Sequence, residues 1–187
     1  MNRELLRGEF DDLHDAEIIG IRIYTGNSYK NMNVLLRNKP PAEVCQYGHG
    51  MSEVLLDIAM ASSGLNKIPT QKIEAVSRAN DRSKERMEII NNALLSDKDP
   101  CYTEFGFMST CVNALSTSNV LLNPIGRDIT LLSEYPAERE FLISPHTQIK
   151  PLVYKKENGG VLIGVPVYTL SSQTKENQLP GLNHVRA

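Results

Sequence analysis

Cysteine is scarce in this 187-residue chain: Cys45, Cys101 and Cys111 are odd in number, far apart and form no CxxC pair. That excludes a disulfide framework and a cysteine-rich zinc site, and it fits a reducing compartment. Long apolar runs are also missing, so no segment reaches the length a membrane span needs. Neither sign of charge dominates; 20 Lys and Arg against 22 Asp and Glu leave a formal net charge of -2. This argues against a general nucleic-acid binder held by counterion release. The four histidines, His14, His49, His146 and His184, lack the spacing of a metal cluster. No GxGxxG or GxxxxGK[ST] loop is present to cradle a phosphate. The opening "MNRELLRGEFDDLHDAE" contains no apolar core of a classical secretory signal, and there is no internal repeat.

What remains is an ordinary globular composition, 41% hydrophobic and 22% charged, sized for one domain over residues 1–187. Residues 1–70 are expected to be mainly helical. Residues 4–13 carry a weak helical pattern, and "IIGIRIY" (18–24) suits either a strand or a helix. In "YTGNSYKNMNVLLR" (24–37), Tyr29, Met32, Asn33 and Leu36 share one helical face behind a cap at Thr25 or Asn27. "NKPP" breaks that helix, and another is expected from Ala42. A further helix is expected over 52–64, capped by Ser52 and ended by Gly64. Strands are expected to dominate residues 71–170, in "KIEAVSR", in "YTEFGFMSTCV", and in a hairpin joining "QIKPLVY" to "VLIGVPVY" through "KKENGG". Residues 171–187 read as a polar tail.

In "EYPAEREFLISPHTQIKPLVY" (134–154), Glu138 and Glu140 precede the apolar run Phe141-Leu142-Ile143. On one strand they would share a face with their carboxylates roughly 6 to 7 Å apart. Their repulsion would raise one pKa, a useful property in a base that works near neutrality. Alone, such a pair usually marks a solvated face.

Four stretches in sequence order give the pair a context. "YTGNSYKNMNVLLR" contains Tyr24, Tyr29, Asn33, Leu36 and Arg37; "KIEAVSRAND" contains Arg78; "FGFMSTCVN" contains Ser109 and Thr110; and the fourth holds Glu138 and Glu140. Together they resemble the mono-ADP-ribosyltransferase toxins with an Arg, Ser-Thr-Ser, Glu-x-Glu signature, among them the clostridial binary toxins and exoenzymes. The resemblance covers about two-thirds of the chain. Departures are Ser77 and Ala79 on either side of Arg78, where the family often has tyrosine before and glycine or arginine after, and Cys111 in place of the last serine. A second "STS", Ser116 to Ser118, lacks the Gly-Phe-x context.

The resemblance implies an α+β fold, ADP-ribosyltransferase-like, with two small β-sheets packed nearly at right angles, N-terminal helices and NAD+ in the cleft. It implies NAD+ contacts from Tyr24, Tyr29, Asn33, Arg78, Ser109, Thr110 and Glu140. The guanidinium of Arg78 would grip phosphate and ribose oxygens together. Ser109 would orient Glu140, and Glu140 would stabilise the cation that forms as nicotinamide leaves. Glu138 would bind and deprotonate the nucleophile, and a glutamate there goes with arginine as acceptor. The loop 128–137, with Tyr135, would recognise the target.

The expected activity is transfer of ADP-ribose from NAD+, a co-substrate, to a host protein's arginine with release of nicotinamide; no metal is required. A monomeric bacterial effector, delivered without a classical signal and acting in the host cytoplasm, is the expected setting. The close variant is a phage enzyme acting in the bacterial cytoplasm, where an RNA end is a further acceptor. The alternative is a catalytically inactive binding module with the same fold, supported by Ser77, Ala79 and Cys111.

Overall fold

A computed structural model describes residues 8, 10–38, 50–78, 84–98, 100–112, 119–155 and 161–168. Helix α1 (Asp15–Ile23) begins where Glu17 folds back to accept the His14 amide at 2.8 Å. The ambiguous "IIGIRIY" therefore starts as helix, with Ile18 and Ile21 buried three residues apart. Of the weak helical pattern at 4–13, only 8 and 10–13 are described, and 10–13 form a turn that buries Phe10 and Leu13.

The helix expected over 24–37 is interrupted. Tyr24–Ser28 form a widened π-type turn, inside which Gly26 leaves helical geometry (φ -85, ψ -137), and α2 (Tyr29–Leu36) follows. The break at "NKPP" and the helix expected from Ala42 fall largely in 39–49, outside the described residues. Helix α3 (Met51–Lys67) starts at Gly50, whose amide donates to Glu53 at 3.0 Å, and not at Ser52. Gly64 does not end it. A Cβ there would come within 2.9 Å of Ile21 and 3.0 Å of Glu17, so the glycine permits close approach of α1 and α3. The two helices are also tied by buried Glu17, which accepts Ser63 Oγ at 2.6 Å and Lys67 Nζ at 2.9 Å.

Beyond α3 come β1 (Gln71–Lys72), β2 (Ala75–Arg78), β3 (Tyr102–Glu104), β4 (Met108–Cys111), β5 (Asn119–Leu122), β6 (Ile125–Asp128), β7 (Glu140–Ile143), β8 (Thr147–Lys155) and β9 (Val161–Val167). Helix α4 (Lys84–Leu94) interrupts this strand-rich part, against the expectation; its buried Ile90 and Ala93 lie three residues apart. The order is β1-β6-β7-β4-β2-β5-β9-β8-β3, and among these pairs only β5 and β9 run parallel. The α+β class is as expected, with the strands of the two expected sheets linked in one hydrogen-bonded order. β8 and β9 pair antiparallel as a hairpin would require; "KKENGG", Ser116 to Ser118 and the tail lie outside the described residues, apart from the backbone of Lys155.

Two cores result. One packs Ile18, Ile21, Tyr24, Met32 and Leu65 against Phe107, Ile129, Leu132 and Leu142. The other gathers Val76, Ile90, Met108, Leu121, Phe141, Ile143, Ile149 and Leu162. Alternation along β4 and β7 explains the split, since neighbouring residues face opposite sides. No helix among the described residues is long and apolar enough to cross a membrane.

Candidate active site

β4 lies between β2 and β7, so the stretches that carry Arg78, Ser109 and Glu140 become neighbouring strands. Ser77 stands opposite Cys111, and Cys111 opposite Glu140, which sets these three side chains in a row on one face. Ser109, two residues back along β4, shares that face.

Glu140 is 3% exposed. Its Oε2 accepts the Ser133 hydroxyl at 3.2 Å, and a second hydroxyl bond comes from Ser109. Burial raises its pKa, the two hydroxyl bonds oppose that rise, and the charge of Glu138 adds to it. Cys111 stands in the same field; its pKa is raised by burial first, then by Glu138 and Glu140. The thiol is therefore held protonated beside the carboxylate.

Glu138 does not share a strand face with Glu140, as the sequence pattern had suggested. It ends a short 3-10 turn, Pro136–Glu138, and Arg139 between the two glutamates adopts a left-handed conformation (φ 49, ψ 58). Pro136 supplies no N–H to a ladder and has its φ fixed for a turn, so pairing begins only at Glu140. Glu138 is exposed while Glu140 is buried, which eases the repulsion without abolishing it.

Arg78 ends β2 and is half-buried. Its charge and that of Glu140 both act on the Tyr24 hydroxyl, whose pKa is raised chiefly by burial. Tyr24 and Asn33, expected at the cofactor, brace β4 in this structure. Tyr24 is 1% exposed; its hydroxyl donates to the Phe107 carbonyl at 3.3 Å and accepts the Ser109 amide. Asn33 grips Phe107 from both sides, Oδ1 accepting its amide at 2.8 Å and Nδ2 donating to its carbonyl at 3.2 Å. Thr110, also expected at the cofactor, points to the other face and donates to the Phe141 carbonyl. Arg37 bonds Glu104 at 3.0 Å. Tyr29 is 42% exposed, with Lys30 Nζ 5.9 Å from its ring centroid.

The loop 129–139 has a buried half and an exposed half. Ile129 and Leu132 are fully buried, and the Ile129 amide donates to the Glu140 carbonyl at 3.1 Å. Glu134 donates its amide to Thr25 Oγ1 at 2.8 Å, and its carboxylate lies against Gly26, where a side chain would displace it. Leu131 and Tyr135, both 51% exposed, face solvent. Ser133 and Gly26 were not singled out from sequence, and Thr25 only as a helix cap; serine, threonine and glycine carry no signal of their partners so far away in the chain. Among the described residues no three His, Cys, Asp or Glu side chains gather as a metal set.

No protein-family model matches the sequence, and no curated protein matches it significantly. Solved structures do match. The ADP-ribosyltransferase HopU1 of Pseudomonas syringae pv. tomato superposes with a TM-score of 0.66 over 88% of this chain and 82% of its own, at 19% identity. The chain has the ADP-ribosyltransferase fold. The type III effector XopAI of Xanthomonas axonopodis pv. citri gives 0.67 at 12% identity, covering 88% of this chain and 72% of that one. Exoenzyme S of Pseudomonas aeruginosa, solved with human 14-3-3 protein beta and carba-NAD, gives 0.61 at 18% identity over 88% and 78%. At these identities the ADP-ribosyltransferase fold is shared while the site residues of this chain stand on their own geometry.

Proposed function

We propose that this protein is an NAD+-dependent mono-ADP-ribosyltransferase that transfers ADP-ribose to a protein arginine and releases nicotinamide. The observation that carries the reading is Glu140: a buried carboxylate, oriented by two hydroxyls, with a second, exposed carboxylate close enough to raise its pKa. A buried, fixed negative charge suits a reaction that builds positive charge on a ribose. NAD+ supplies the scissile bond, between ribose C1′ and the nicotinamide nitrogen, and nicotinamide leaves as a neutral base.

In this reading Glu140 stabilises charge on the ribose ring, and Ser109 keeps the carboxylate aimed. Arg78 meets the pyrophosphate. Glu138, exposed at the mouth of the site, binds the incoming guanidinium and takes the proton it loses as the new C–N bond forms. Tyr135 and Leu131 would contact the acceptor protein. Ser77 and Cys111 stand in the row with Glu140 without removing a charged group, which favours an active enzyme over an inactive module. The likeness to a type III effector supports delivery into a host cell as the setting.

The division of labour between the carboxylates has a direct test. With labelled NAD+, agmatine as a guanidine acceptor and a host lysate, Glu138→Gln is expected to lose transfer roughly 100-fold while NAD+ hydrolysis by water falls far less. Equal loss of both activities would contradict the assignment of Glu138 to the acceptor. Label that enters lysate protein but spares agmatine would leave the transfer reaction standing and move the acceptor question to the loop 128–137.

A further inference from the structure

The Glu140 carboxylate is held from two sides. Ser109 reaches it from the sheet, and Ser133 from the loop that carries the exposed Tyr135. A serine hydroxyl has a single proton. The Tyr135 amide donates to Ser133 Oγ at 3.1 Å, occupying that oxygen as an acceptor, so the proton is directed at Glu140 Oε2, 3.2 Å away. An acceptor that is itself donating strengthens the second bond.

Ser133 is 1% exposed and its position is overdetermined. Its amide donates to the Ile129 carbonyl at 2.9 Å, its carbonyl accepts Arg22 Nη1 at 3.5 Å, and the next residue is tied to Thr25. It stands at the junction between the buried and exposed halves of the loop. The ionisable groups around the carboxylate are Cys111 from β4, Glu138 from the 3-10 turn, and Tyr24 from the widened turn, with Arg78 of β2 acting on Tyr24.

We propose that Ser133 is a positioning residue that holds Glu140 charged and aimed from the acceptor-loop side, so that the loop acts on the carboxylate as well as on the target. This rests on the reading of Glu140 as the catalytic carboxylate.

The test uses the full chain with carboxyl-labelled glutamate, the Glu140 signal being assigned by its loss in Glu140→Gln. Ser133→Ala is expected to move the Glu140 titration midpoint upward, and Ser133→Thr, which keeps a hydroxyl, to return it; thermal melts confirm that both variants fold. In NAD+ hydrolysis without an acceptor, Ser133→Ala is expected to lower kcat about tenfold at an unchanged KM, with the acid limb of the rate profile shifting up alongside the midpoint. A merely structural serine would leave the midpoint in place, and that result overturns the proposal. A moved midpoint with an unmoved acid limb also overturns it, because the serine would then act on the carboxylate without acting on catalysis. Were wild type to release no nicotinamide, the proposed function would fail, while the titration midpoint would still decide whether Ser133 governs Glu140.

Discussion

In the proposed reaction Glu140 would serve activity at the expense of stability. Its folded pKa is raised, chiefly by burial, above the value of an unfolded glutamate. The folded state therefore holds the proton more tightly, and the ionised group opposes folding at neutral pH; this penalty fades as pH falls through the folded pKa. Glu140→Gln keeps an oxygen to accept the Ser109 and Ser133 hydroxyls but carries no charge. It is expected to melt higher than wild type at pH 7, with the gap closing as pH is lowered. The ionised form is the one that would stabilise a cation, so the acid limb of NAD+ turnover is expected above the range of an ordinary carboxylate. A limb at the ordinary position would mean that another group is titrating. At this scale a motif pointed to Ser109 and Glu140, which the fold brings into contact, and was silent at Ser133, because a loop serine acquires its role only through a partner placed by the fold.

Among the elements, β4 shows how the strand that carries Ser109 is kept in place. Phe107 at its entrance is gripped by Asn33 on both backbone polar groups, with Tyr24 bonding the same carbonyl. Gly106 permits this, since a Cβ there would fall 2.6 Å from Asn33 Oδ1. Asn33→Ala would leave a buried amide without a partner and is expected to destabilise the protein by about 2 kcal/mol in denaturant titration. The KM for NAD+ of the folded fraction is expected to stay near that of wild type. A large rise in KM with unchanged stability would restore Asn33 to the cofactor. The residues of α2 were legible in sequence as a set, but their purpose was not, because a motif reports which residues occur together and leaves open whether they touch the ligand or the strand behind it. The pair Glu138 and Glu140 makes the converse point. Alternation assumes a continuous strand, and the left-handed Arg139 breaks the strand between the two glutamates.

At the scale of the whole molecule, the N-terminal helices and the strands meet in the first of the two cores, and the sequence anticipated the outline: helices first, strands after, and three signature strands side by side. It missed α4, whose three-residue apolar spacing was overlooked among strand signals, and the extension of α3 past Gly64, because a glycine that ends a helix and one that lets two helices touch look alike. The α1–α3 contact contains Glu17, whose pKa is lowered to about 2, first by its bond to Lys67 and then by that to Ser63, against the effect of burial. Its folded pKa lies below the unfolded one. Its contribution to stability is therefore present above the ordinary glutamate value of 4.5 and is lost as pH falls through about 2. Lys67→Met is expected to lower the melting temperature at pH 7 and to flatten the acid dependence between those values; an acid profile identical to wild type would show that the pair adds no stability.

The account stands most directly on nicotinamide release from NAD+ by wild type and by Glu140→Gln, with both proteins verified as folded. Release by wild type, reduced about 100-fold or more in the variant, is the expected result. Equal release by both would contradict Glu140 as the catalytic carboxylate, and no release by wild type in the presence of host lysate would contradict the transferase reading itself.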